Sequence, residues 1–123
     1  MERKKVVVMA LHSELESAYP PLNISVGAAA SGAEVILAFA RDGVDILNPN
    51  YIPIPSSGRG YLANTLSDFG APTVQELLNI ASECGVRMVV VDKDFVESNL
   101  PVESKPIKWI LNEAASADLF VHF

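Results

Sequence analysis

The stretch 24–40, ISVGAAASGAEVILAFA, constrains the fold more than any other part of the chain. Its first half is dominated by Gly, Ala and Ser, and its second half, Glu34–Ala40, is an apolar run of strand length. Small side chains let a helix axis lie close against a sheet, and Gly32 between the halves can take the left-handed backbone that ends a helix. The pattern is a helix-to-strand joint inside an α/β protein.

Other segments read in the same terms. Lys5–Leu11 (KVVVMAL) and Val86–Val91 (VRMVVV) are short continuous apolar runs, as expected of strands covered on both faces. Ala117–Phe123 reads as a short terminal strand. Helices are expected over about 21–31, 73–84 and 105–115. The first is placed after Pro20, because a residue preceding proline is pushed out of the α region; Ser13 and Glu16 upstream have capping-box spacing. Leu22, Val26, Ala29 and Ala30 share one face of it. Thr73-Val-Gln-Glu76 is a second capping box, with Gly85 as the stop. Ser104 is the expected cap of the last helix, with Pro106 in its tolerant first turn. Val44–Leu47 suits a single helical turn. Strands alternating with helices imply a mainly parallel sheet of four to five strands, with right-handed crossovers and helices on both faces. The 123 residues suit one domain, 1–123.

Residues 48–72 stand apart, carrying Pro49, Pro53, Pro55 and Pro72 together with Gly58, Gly60 and Gly70. Tyr51, Ile52, Ile54, Tyr61, Leu62, Leu66 and Phe69 make this segment too apolar to hang free, so it is expected to act as a lid or an interface. Residues 92–102 form a second irregular connection.

Composition excludes several classes. Nine basic against fifteen acidic residues give a net charge of −6, and Arg3-Lys4-Lys5 is the one basic cluster. Such a chain is poorly suited to nucleic acid. No apolar run approaches the roughly 20 residues of a membrane helix. The opening MERKK-VVVMAL has too short an apolar part for a secretory signal and reads as a strand. With one cysteine and no export signal, a cytoplasmic location is expected.

Chemistry in a parallel sheet gathers beyond the C-terminal strand ends. That rim carries His12 and Ser13, Arg41 and Asp42, and Asp92, Lys93 and Asp94, which are the candidate binding residues. His12 and His122 stand far apart with no ligand spacing, so no metal is expected. His12-Ser-Glu-Leu15 replaces the glycine-rich turn of a dinucleotide fold, Ser57-Gly-Arg-Gly60 lacks a P-loop ending, and the first strand lacks paired acids. No cofactor is implied. Cys84 continues the series Val74, Leu77, Leu78, Ala81, so it is expected to face the sheet as a small hydrophobe, a weak candidate for catalysis. On the last helix Ile107, Ile110, Leu111 and Ala114 form the expected buried face, with Trp109 turned outward. An outward tryptophan and an apolar 48–72 segment favour a homo-oligomer.

Two pieces together resemble a known family. One is the helix end and strand Gly-Ala-Ala-Ala-Ser-Gly-Ala-Glu-Val (27–35), leading to Asp42-Gly43. The other is Thr73-Val-Gln-Glu-Leu-Leu followed by Glu83-Cys-Gly-Val-Arg-Met-Val-Val-Val (to Val91) and a final helix and strand. Over about residues 4–48 and 73–123 the chain resembles the DsrE/DsrF-like family of sulfur-relay proteins. The resemblance implies a three-layer flavodoxin-like sandwich, a trimer or hexamer, and a sulfur-relay protein as partner. Active members carry a persulfide-accepting cysteine at the end of a strand; the matching position here is about Val91, followed by Asp92-Lys93-Asp94. Members without that cysteine exist. The implied function is a DsrE/DsrF-like binding or scaffold subunit without persulfide chemistry of its own. Two alternatives stand beside it: a small-molecule enzyme using His12, Asp92, Lys93 and Asp94, and a purely structural oligomeric module.

Overall fold

A computed structural model describes residues 3–56, 70, 72–93 and 98–123. Five strands, β1 (Lys5–Ala10), β2 (Glu34–Phe39), β3 (Arg87–Val91), β4 (Val102–Lys105) and β5 (Leu119–His122), form one sheet in the order β4-β3-β2-β1-β5. Every pairing is parallel. Helices α1 (Leu15–Ala30) and α2 (Val74–Glu83) lie on one face and α3 (Ile107–Ala115) on the other. This is the expected α/β sandwich.

The pleat divides the apolar runs between two cores. Val6, Val8, Ala10, Val35, Leu37, Phe39, Met88 and Val90 face α1 and α2. Val7, Met9, Ile36, Ala38, Val89 and Val91 face α3, whose Ile110 is fully buried among them. Strands sandwiched in this way have no polar side to show, so their sequences are continuous rather than alternating. The chain steps β1, β2, β3, β4 in one direction and then returns under α3 to β5. That return puts α3 opposite α1 and α2, as right-handed crossovers require.

Both predicted glycine stops close helices in the same way. Gly32 (φ 93°) and Gly85 (φ 86°) follow the C-caps Ser31 and Cys84. The next amides, Ala33 and Val86, donate back to Ala28 and Ala81 at 3.0 Å, the Schellman arrangement. Arg3 adds two bonds to the carbonyls of Gly32 and Ala33, both at 3.2 Å.

Several expectations need correction. Helix α1 starts at Leu15, ahead of both prolines, and contains them. Each proline removes one helical hydrogen bond, and tertiary contacts offset that loss. Leu15, Ala18 and Pro21 are buried, the Leu15 amide donates to the Ile54 carbonyl at 3.0 Å, and the Tyr19 hydroxyl donates to the Pro72 carbonyl at 2.9 Å. The cap position is Glu14, so Ser13 and Glu16 form no capping box; the Glu16 carboxylate instead accepts the Ser56 amide at 2.9 Å. Strand β4, read from sequence as the end of a loop and the start of a helix, is polar (VESK) because it lies at an edge. Ile107 and Leu111, expected inside, are exposed, while Trp109, expected outside, is half-buried against the α3-side core. The buried phase of α3 is narrow because, among the described residues, this nine-residue helix covers its face of the sheet without a helical neighbour.

Candidate functional site

The rim is built by register. Ala10 pairs with Phe39, and Phe39 with Val90. Two residues farther on, His12, Arg41 and Asp92 therefore stand at one level on three adjacent strands. Arg41 (φ 56°) and Asp92 (φ 57°) are the two non-glycine residues with left-handed backbone among the described residues. Each directly follows the buried end of its strand segment, Ala40 and Val91. Side chains other than Gly, Asn and Asp rarely adopt this conformation, and such residues concentrate at functional positions.

After Arg41 the chain enters a 3-10 helix, Arg41–Leu47, which folds over the end of β1. The Ala40 amide donates to the Ala10 carbonyl at 3.0 Å, and a Cβ at Gly43 would lie 2.0 Å from that same oxygen. Gly43 is thus required by space. Its close approach buries Val44, Ile46 and Leu47 and leaves Arg41, Asp42 and Asp45 exposed.

Asp92 has a structural task. Its Oδ1 accepts the Ile107 amide at 3.2 Å, and its own amide donates to the Lys105 carbonyl at 3.0 Å. It caps α3 from a distant strand, and a carboxylate at a helix N-terminus is favoured by the exposed amides there. Ser104, the expected cap, lies in β4, where its hydroxyl donates to the Lys93 carbonyl. Asp92, Lys93, Ser104, Lys105 and Pro106 border an open hollow of about 420 Å³. His12, Arg41, Asp42 and Lys93 are exposed, and no side-chain hydrogen bond or ion pair joins any two of these rim residues. Ser13 contributes its carbonyl to the Tyr51 hydroxyl. Asp94 and Ser57–Gly60 lie outside the described residues. The predicted site residues thus form a solvated row across three strand ends, and they do not converge on one reacting centre.

Segment 48–72 is described over residues 48–56, 70 and 72, and Tyr61, Leu62, Leu66 and Phe69 lie outside the described residues. Tyr51 inserts against the core beside α1, under the negative charges of Glu14, Asp45 and Glu16. Burial first, and those carboxylates second, push its hydroxyl up to about 12. Ile52 and Ile54 point outward.

Cys84 overturns its expectation: it is exposed. As the C-cap it lies beyond the last helical residue, and the inward place after Ala81 is taken by Val86, which the Schellman turn folds back into the core. Cys84 also lies before β3, at the N-terminal end of that strand. Strand β3 separates it from Val91, a span of about 17 Å at roughly 3.3 Å per residue. Val91, at the C-terminal end of β3, is 8 % exposed and packs in the α3-side core.

Two groupings carry no sequence motif. Arg87 makes a forked pair with Glu103 (2.7–3.1 Å) and lies 4.9 Å from the centre of the Trp109 ring, with Lys105 at 5.3 Å. That hydrogen bond holds the Glu103 carboxyl below the usual range. The amides of Asn48, Gln75, Asn79 and Asn99 line a cleft of about 180 Å³; the one sequence signal was Gln75 and Asn79 at helical i, i+4 spacing.

Comparison with solved structures gives six matching chains, among them the crystal structure of the ychN protein from E. coli. The alignment covers 99% of this chain and 100% of that one, at a TM-score of 0.64 and 16% identity. The two share one fold. No protein-family model and no curated protein matches the sequence. Among the described residues no helix is long and apolar enough to cross a membrane, and no group of His, Cys, Asp and Glu could hold a metal ion.

Proposed function

We propose that the protein is a DsrE/DsrF-like subunit related to intracellular sulfur transfer, one that binds or scaffolds without carrying persulfide on its own thiol. The fold shared with YchN supports the family. The single observation that carries the rest is Val91: a buried, unreactive side chain occupies the C-terminal end of β3, and the one cysteine lies at the other end of that strand. Exposure alone does not make a thiol a sulfur acceptor, because reactivity also needs an electropositive setting. The test treats native protein with sodium polysulfide, traps by alkylation and reads Cys84 by mass spectrometry. Modification no faster than in the urea-unfolded chain is expected. A native rate about tenfold higher, lost in Cys84→Ser, overturns the reading.

The subunit is proposed to work as a homo-oligomer. Among the described residues strand β5 is an edge with no outer neighbour, bearing exposed Leu119 and Phe120, and α3 adds exposed Ile107 and Leu111. Uncovered strand edges with apolar side chains are normally protected by a partner. Light scattering should find a trimer or hexamer that Phe120→Glu dissociates; a wild-type monomer at all concentrations would remove this part. An acid–base enzyme on His12, Asp92, Lys93 and Asp94 is less well supported, since the Asp92 carboxylate is engaged in capping α3.

A further inference from the structure

We infer that the amide-lined cleft binds a flat, uncharged heterocycle of the nucleobase type. The cleft opens between the exit of the 3-10 helix, the first turns of α2 and the approach to β4. Its polar lining is Asn48, Gln75, Asn79, Asn99 and Ser98, and among the described residues no acidic or basic side chain borders it. Leu47 and Leu78, both buried, supply an apolar floor.

Three of the polar groups are held in place by one protein bond each. Asn48 Oδ1 accepts the Asn50 amide at 2.8 Å, Gln75 Nε2 donates to the Tyr51 carbonyl at 3.0 Å, and Ser98 Oγ accepts the Leu100 amide at 3.2 Å. Each bond leaves the complementary capacity free: two N–H donors on Asn48, the carbonyl oxygen of Gln75 and the O–H of Ser98. Asn79 and Asn99 retain both amide functions. Neutral donors and acceptors therefore surround an apolar floor. Base edges present donors and acceptors side by side in one plane, and Asn or Gln pairs with such an edge through both of its amide atoms.

Size and charge narrow the class further. At roughly 30 Å³ per water the cleft holds about six waters, or about ten non-hydrogen atoms, the size of a purine. It is well below the roughly 300 Å³ at which larger ligand sites begin. A phosphate would find no cation among the described residues that line the cleft, and burying an unpaired charge is costly. The ligand is therefore a base or nucleoside rather than a nucleotide. The cleft includes neither Val91 nor Cys84, so this inference and the sulfur-relay reading can fail separately.

The test is a ¹⁵N NMR titration of the full chain with adenine. Saturable shifts of the side-chain amides of Gln75, Asn79 and Asn99 are expected, with a Kd of about a millimolar or tighter. Asn79→Leu, at an exposed helix position, should weaken binding about tenfold, while Asn112→Leu on the outer side of α3 leaves it unchanged. Adenosine should bind at least as well as its monophosphate. The inference is overturned by an absence of shifts with both adenine and uracil, or by unchanged affinity in both Asn79→Leu and Asn99→Ala. Ribose binding as well as adenine, or a monophosphate binding about tenfold tighter than the nucleoside, would overturn it equally.

Discussion

Gly43→Ala should destabilise the protein by about 3–5 kcal/mol, a large share of the roughly 5–15 kcal/mol that holds a domain folded. The added Cβ would lie 2.0 Å from the Ala10 carbonyl oxygen, 2.6 Å from its carbon and 3.1 Å from the Leu11 nitrogen. All three are backbone atoms at the end of a central strand, so no side chain can rotate away. Relief requires the 3-10 helix to lift by more than an ångström. That movement breaks the Ala40–Ala10 and Gly43–Ala40 backbone bonds, both 3.0 Å, each worth about 1 kcal/mol net. Overpacking against the strand adds about 1–3 kcal/mol. Urea denaturation should show a lower midpoint with an unchanged slope, since the surface exposed on unfolding is the same. Gly27→Ala is the matched control: nothing lies within 4 Å of its Cβ position in α1, so the same change should stabilise by about 0.5–1 kcal/mol. A Gly43→Ala midpoint equivalent to within about 0.5 kcal/mol of wild type would refute the claim that this turn presses on β1.

Ser25 is fully buried in α1 and its hydroxyl has no hydrogen-bond partner among the described residues; Ser25→Ala should therefore raise stability by about 1 kcal/mol in the same denaturation assay. Asp92→Ala should cost about 1–2 kcal/mol by uncapping α3 and forcing alanine to a φ of 57°, and Asp92→Gly should cost less. Because burial raises the Tyr51 hydroxyl from 10.0 to about 12, the folded state favours its neutral form. Its contribution is complete below pH 10 and is lost as pH rises from there to about 12. Alkaline unfolding followed by circular dichroism should shift in Tyr51→Phe, which cannot ionise. Glu103, held below its usual range by Arg87, gives the opposite dependence: its modest, half-exposed contribution is present above the ordinary carboxylate range and lost on acidification, and Glu103→Gln should flatten that part of the acid limb.

Much of this architecture follows from local chemistry that a sequence displays. The runs KVVVMA, EVILAF and RMVVV have no polar face, so each had to be a strand buried on both sides. Gly32 and Gly85 had to end helices, and Thr73 had to begin one, its Oγ1 accepting the Glu76 amide at 3.1 Å. Those features depend on neighbours a few residues away. Tertiary contacts decided the rest. A remote carbonyl, Ile54, satisfies the start of α1 and lets the helix run through Pro20 and Pro21. The distant carboxylate of Asp92, rather than the nearby Ser104, caps α3. The edge position of β4 allows a polar strand without an apolar signature, and Val86, folding back through the turn at Gly85, leaves Cys84 in solvent. Periodicity records which residues a regular element would bury; at element ends and sheet edges the partner that fills the space comes from elsewhere in the chain, so burial there is settled by packing alone.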